Sequence, residues 1–197
     1  MTAVLVVLGG YLLGSVPFGY WLVRATKGED IRQTGSGNIG GTNVWRTYGR
    51  WYGIPVVLFD VAKGFVPALV GALLVGDLTA VLAGGAAMLG HWRPLFLGFQ
   101  KGGKTVATAG GTFLGVAPLV GVAGLLMWIA VFLVSRYASL ASIVSAVALP
   151  FVALALGESW PVVAFAAIAS VGVVILHRAN IARLRAGTEN RFRPRRA

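Results

Sequence analysis

The sequence predicts an all-α, polytopic integral membrane protein with about seven transmembrane helices, the N-terminus outside and the C-terminus cytoplasmic. Composition is the first reason: 57% of the 197 residues are apolar, 12% are charged and the mean hydropathy is +0.80. A soluble domain carries about 45–50% apolar and about 25% charged residues. The second reason is blockwise patterning, with apolar runs near the ~20 residues that a helix needs to cross the hydrocarbon core. The third is that the cations fall between those runs.

The apolar segments lie at about 3–23, 53–75, 79–91, 105–118, 119–135, 139–156 and 161–177. No charged stretch precedes the first, which runs close to spanning length and reads as a retained helix, not a cleaved signal peptide. The third and fourth are short, as tilted, broken or re-entrant segments would be. Such irregular backbone is tolerated at membrane depth only where protein or a polar cavity covers it.

With the N-terminus outside and simple alternation, the inner segments are 24–52, 92–104, 136–138 and the residues after His177. They hold 16 of the 17 cationic residues; Lys63, inside the second helix, is the exception. The outer loops carry only Asp77 and Glu158. This asymmetry follows the positive-inside rule, so the net charge of +11 reads as topogenic and no nucleic-acid partner is expected. The chain reads as a single membrane-embedded domain, 1–197, with residues 190–197 as a mobile basic tail beside anionic lipid. It has no cysteine and two histidines, His91 and His177. That excludes disulfides and thiolate chemistry; no metal and no cofactor are expected.

Three inner segments carry candidate chemistry. Arg32 to Arg46 packs Gly35, Gly37, Gly40 and Gly41 among Ser36, Asn38, Thr42 and Asn43. Glycines let backbone amides converge as an anion-binding nest, and Arg46 offers a two-pronged grip on phosphate. The plain alternative is a flexible inter-helix loop.

Gly98-Phe-Gln-Lys-Gly-Gly-Lys-Thr105 matches the GxxxxGK[ST] pattern of nucleotide hydrolases. That pattern requires a preceding β-strand, and here a membrane helix precedes it. What survives is local: Lys104 and the amides of Gly102 and Gly103 open the next helix, whose N-terminus favours anions. Lysines snorkelling at an interface are the plain alternative.

The third segment begins at His177. If the helix continues, His177 and Asn180 share a face. His177 is a candidate base, phosphate donor or structural residue, and Glu189 is expected to form an internal ion pair. Asp60 and Lys63, three residues apart, read as mutually neutralising. Ser139 and Ser142 are placed to cap the sixth helix, and His91 with Pro94 shapes the end of the third.

Together these segments resemble the PlsY family, the bacterial acyl-phosphate:glycerol-3-phosphate acyltransferases. The resemblance rests on Gly35 to Asn43 with Arg46, then on Gly90 to Pro94 with Lys101 to Lys104 and Val106 to Thr108. It continues through His177 to Leu184 with Gly187 and Glu189, and covers nearly the whole chain in order. Gly41, Gln100 and Thr105 depart from the family pattern.

The resemblance implies acyl transfer from acyl phosphate to the 1-hydroxyl of sn-glycerol 3-phosphate at the cytoplasmic face of the bacterial inner membrane. Lysophosphatidic acid and phosphate would be the products, with no obligatory protein partner. It gives Ser36, Arg46, Lys104, His177 and Asn180 to glycerol phosphate. Gly37, Asn38, Gly40, Thr42, Asn43, Gly102, Gly103 and Ser142 complete the substrate-binding set, with Ser36, Lys104, His177 and Asn180 as catalytic candidates. With no Ser–His–acid triad apparent, direct transfer is expected, with His177 or a substrate phosphate taking the proton. The competing class is a transporter of phosphate or an organophosphate, although its ligands belong near the midplane.

Overall fold

The computed structural model describes residues 1–192. Among these, ten α-helices and two short 3-10 turns account for the regular structure, and there is no β-strand. The part of the expected mobile tail from residue 193 onward lies outside the described residues.

The chain divides into two compact units, residues 1–118 and 119–197. In the first unit, α1 (Thr2–Gly14) ends at a three-residue break and α2 (Phe18–Lys27) follows. Pro17 brings no backbone N–H and disfavours helix at the residue before it. The Ser15 hydroxyl turns back to Tyr11 O at 2.8 Å. The two helices read as one span of 26 residues, interrupted where the sequence suggested continuity. α2 stops at Gly28, whose φ of 70° a side chain would disfavour.

A 3-10 turn at Ile31–Gln33, capped by the Asp30 carboxylate on Arg32 N, leads into α3 (Gly41–Tyr48). This short helix was not foreseen; its eight residues lie inside the polar stretch between two apolar runs. Val44 joins Val23, Ile31, Ile39 and Val56 in a buried cluster that seats the segment on α2 and α4. α4 (Arg50–Leu74) is the centre of the unit and packs on α1, α2, α3, α5 (Asp77–Trp92) and α6 (Val106–Val116).

At 16 and 11 residues, α5 and α6 are shorter than a straight crossing of ~20 residues needs, as the sequence indicated. Small residues bring them close. A Cβ on Gly64 of α4 would overlap Thr108 O of α6, and one on Gly111 would overlap Val61 O. Such small-residue contacts let helix backbones approach where lipid supplies no hydrophobic drive.

In the second unit, α7 (Pro118–Ser135) and α8 (Ala138–Ala155) join through Arg136 at φ 64°. α8 packs on α9 (Trp160–Leu176), and α9 meets α10 (Arg178–Arg185) at a 59° bend. Four stretches are long and apolar enough to cross a membrane: Thr2–Lys27, Arg50–Leu74, Pro118–Ser135 and Ala138–Ala155. The bent pair α9–α10 makes a fifth if counted as one.

Replacing Gly64 with valine is expected to cost about 1–3 kcal/mol through overpacking against α6. The check is a lower unfolding temperature in detergent, with the exposed Leu58→Val leaving it unchanged.

Candidate active site

The glycine-rich loop of the first unit is built around one side chain. Asn43, at the start of α3, accepts from Ser36 N–H at 2.9 Å and donates to Thr34 O at 3.1 Å and Asn38 O at 2.9 Å. These bonds draw residues 34–38 into a tight arc over the helix end. Gly35 and Gly37 supply the left-handed turns it needs, at φ 60° and 67°. Asn43 is therefore an internal staple of the loop.

Asn38 closes a smaller turn by accepting from Gly40 N–H at 2.7 Å. Its Nδ2 is buried and donates to nothing in the protein, an orphaned donor inside the loop. Ser36 is exposed at the arc's crest. Thr42 and Arg46, four residues apart on α3, share a face, and both are half-buried.

The second loop follows α5. After a 3-10 turn at Leu95–Leu97, the chain folds back so that Gly102 N–H donates to Trp92 O and Gly103 N–H to His91 O, each at 2.9 Å. These two amides were expected to face an anion; the structure engages them on the last turn of α5 instead. What both glycines provide is close approach. A Cβ on Gly103 would overlap the His91 ring, and one on Gly102 would overlap His91 O.

α6 begins at Val106, preceded by Thr105 at φ 65°, and Lys104 is half-buried just before it. A helix and a turn, not a strand, precede the nucleotide-loop pattern, so that pattern does not carry its usual meaning. Arg32 ties the two loops together. It pairs with Asp30 at 2.7 Å and donates to Gln100 Oε1 at 2.6 Å. The Arg32 hydrogen bond, against a smaller effect of burial, holds the Asp30 carboxyl below its ordinary value. Gln100, a departure from the family pattern, thus gains a structural partner.

An open cleft of about 510 Å³ beside the first loop is lined by Tyr20, Arg24, Gly28, Glu29, Asp30, Gln33 and Thr34. Its acids already serve Arg32 and the Tyr48 hydroxyl, so it makes a poor cradle for phosphate.

In the second unit, His177 stands at the bend between α9 and α10. The apolar helix ends there, as expected, and the chain resumes as α10 after the bend, so the condition for His177 and Asn180 to share a face of one continuous helix is not met. The His177 Nδ1 lies 2.8 Å from Val173 O. A carbonyl only accepts, so Nδ1 carries the proton and Nε2 is the acceptor of the neutral ring.

Asn180 is buried and donates to Glu189 Oε1 at 2.7 Å. The same oxygen accepts from Ser139 at 2.8 Å, and Arg183 pairs with Oε2 at 2.7 Å. The expected ion pair of Glu189 is thus present. Ser139 serves Glu189, while the N-cap of α8 is Tyr137 with no side-chain cap. Ser142 donates to Ala138 O at 2.7 Å and accepts from Trp128 Nε1 at 3.1 Å.

Trp128 stacks on Phe132, and Phe132 meets Phe192 edge to face. The Phe192 N–H donates to Arg136 O at 2.8 Å. Sequence reasoning missed this chain from the C-terminal segment to Ser142. The i,i+4 spacing of Trp128 and Phe132 was its one visible trace. Among the described residues no group of three or more potential ligands is placed to hold a metal ion.

Comparison with known proteins agrees across the chain. The sequence profile of the family described as glycerol-3-phosphate acyltransferase matches residues 4–187. The glycerol-3-phosphate acyltransferase of Geobacter sulfurreducens is 50% identical over 184 residues, covering 93% of this chain and 94% of the relative. That of Geotalea daltonii is 45% identical over 191 residues, covering 96% and 97%. Two crystal structures of PlsY, an integral membrane glycerol 3-phosphate acyltransferase, superpose with TM-scores of 0.94 and 0.90 at 40% and 38% identity. Each match covers 98% of this chain and 96% of the other; one is the glycerol 3-phosphate form and one the lysophosphatidic acid form.

The Glu189 environment yields a pH prediction. Burial pushes its carboxyl up, but bonds from Asn180, Ser139 and Arg183, with the Arg183 charge, outweigh this and hold it below the ordinary value. A depressed carboxylate stabilises the fold above its unfolded pKa and loses that contribution as pH falls through the folded one. Hydrogen exchange of residues 187–192, corrected for intrinsic rates, should stay flat from neutral pH down to the ordinary carboxylate range. It should then rise below that range. Glu189→Gln should exchange faster throughout and lack the acid step.

Proposed function

The chain belongs to the glycerol-3-phosphate acyltransferase family, and we propose that it draws its acyl group from an acyl phosphate and transfers it directly, without an acyl-enzyme. It is an integral membrane protein that acylates glycerol 3-phosphate to lysophosphatidic acid. In this reading seven segments cross or enter the membrane, the N-terminus is outside, and the cationic loops face the cytoplasm at the bacterial inner membrane.

The observation that carries direct transfer is the orientation of His177. Its Nδ1 is held by the carbonyl of Val173, whereas a nucleophile-activating triad sets an acid on that nitrogen. The buried carboxylates already have cationic partners, Asp60 with Lys63 and Glu189 with Arg183. A mixed anhydride supplies its own good leaving group. The hydroxyl oxygen of glycerol 3-phosphate attacks the acyl carbon, the carbon–oxygen bond to phosphate breaks with its electron pair leaving on phosphate, and the hydroxyl proton passes to a phosphate oxygen. The protein's contribution is alignment of hydroxyl and carbonyl and donors for the developing negative charge.

We assign Ser36, Arg46, Lys104, His177 and Asn180 to glycerol phosphate, and Asn38 and Thr42 to acyl phosphate; Ser142, expected in that set, has its one hydroxyl hydrogen on Ala138 O and acts only indirectly. The orphaned Asn38 Nδ2 supports a role as donor. Asn43, Gly102 and Gly103 act indirectly, by shaping the loops that present these groups.

Purified protein given a long-chain acyl phosphate and glycerol 3-phosphate without metal should release phosphate and lysophosphatidic acid in equal amounts. Turnover with acyl-coenzyme A but not acyl phosphate would overturn the donor assignment. His177→Ala should lose about 1.5–3 kcal/mol of transition-state binding, as for a hydrogen bond to a charged group, with KM for glycerol 3-phosphate rising at least as much as kcat falls. A kcat loss nearer 10⁴-fold at unchanged KM, the upper range for a general base, would make His177 the base.

A further inference from the structure

Three ionisable side chains are buried in the middle of the first unit and have no part in the reaction as proposed. Lys63 is 1% exposed, Asp60 3% and His91 4%. Lys63 Nζ lies 2.7 Å from Asp60 Oδ1 and reaches Val16 O at 3.3 Å. That carbonyl belongs to the break between α1 and α2 and also accepts from Phe18 N–H at 3.0 Å. His91 Nδ1 leans towards the same Asp60 oxygen at 3.6 Å and has no hydrogen-bond partner.

The outer edges of the cluster face the first glycine-bearing loop on one side and abut the second on the other. Asp60 Oδ2 faces Gly40, where a Cβ would stand 4.0 Å from it. On the other side the Nε2 edge of the His91 ring abuts Gly103, so closely that no Cβ fits, and the His91 carbonyl accepts from Gly103 N–H at 2.9 Å. Mutual neutralisation of Asp60 and Lys63 does not account for this reach. A buried ion pair adds little net stability compared with apolar residues of the same volume. Here Lys63 reaches the helix break, Asp60 faces the first loop, and His91 abuts the second.

We propose that Asp60, Lys63 and His91 form a positioning cluster that sets the spacing between the Ser36–Asn43 loop and the Gly102–Lys104 loop. The catalytic consequence rests on the acyltransfer reading above. The cluster touches no substrate; it acts through Gly40 at the start of α3 and through Gly103 beside Lys104. Its chemistry is mechanical: the charges fix Asp60 and Lys63 at one depth in α4, and His91 carries that fixed point across to the second loop.

The test uses the full chain in detergent. Asp60→Asn with Lys63→Met removes both charges together and leaves none stranded, and His91→Leu removes the ring's polar edge separately. Both should keep a cooperative unfolding transition. KM for glycerol 3-phosphate should rise about tenfold or more, with a smaller fall in kcat. Hydrogen exchange should accelerate by about tenfold in residues 36–43 and 99–104 alike, as local opening becomes easier.

A folded variant with both segments protected as in the parent, and both constants within about threefold of it, would overturn the proposal. Loss of stability with unchanged kinetics per folded molecule would overturn it too. If the double variant does not fold, His91→Leu decides alone. If the parent makes no lysophosphatidic acid, the reaction reading fails, and the exchange of the two loops still decides the positioning role.

Discussion

A lysine ammonium withdrawn from water has to be answered inside the protein, because no hydrocarbon neighbour can do it. In the first unit that demand falls on Lys63 of α4, and the answer comes from Asp60 one turn earlier and from the backbone at Val16. The break between α1 and α2 is thereby tied to α4: the Val16 carbonyl, which already accepts from Phe18 N–H, takes a second bond from Lys63. α4 also touches every other helix of the unit. A single polar layer on an otherwise apolar helix thus ties the depth of the break to that of α3 and α5.

The loops above this layer are made rigid by their own short-range bonding. Asn43 closes three hydrogen bonds within ten residues of sequence, and the backbone of Gly102 and Gly103 is sewn to the last turn of α5. Donors used in this way are unavailable to a ligand. The exposed Ser36 and the unpartnered Asn38 amide are not used so. Preorganised donors of this kind stabilise charge without reorganising when it appears. In the second unit Glu189 plays the corresponding part, collecting Ser139, Asn180 and Arg183 on one carboxylate.

The apolar blocks were legible because each long helix writes its length into hydropathy, so α4, α7 and α8 fall within a few residues of expectation. The three candidate segments stood out because their Gly, Ser, Asn and Arg content exceeds what linkers need. Three features were not legible. α3 is eight residues long and sits within a polar, glycine-rich stretch that reads as a loop. The apolar run was expected to end at His177, but the 59° change of direction there was not, since neither glycine nor proline marks it. The roles of Gly102 and Gly103 could not be separated in sequence, because a glycine kept for its exposed amide and one kept for close approach are written with the same letter.

The bond from His177 Nδ1 to Val173 O has a consequence for how that ring can move charge. The same bond serves the neutral and the protonated ring, since Nδ1 bears a hydrogen in both. A proton can therefore arrive at or leave Nε2 without the imidazole turning over. Whichever group meets Nε2, the opposite corner of the ring stays bolted to its own helix. An imidazole fixed in this way answers a change in its partner's charge by shifting a proton along one line, at no cost in side-chain rearrangement.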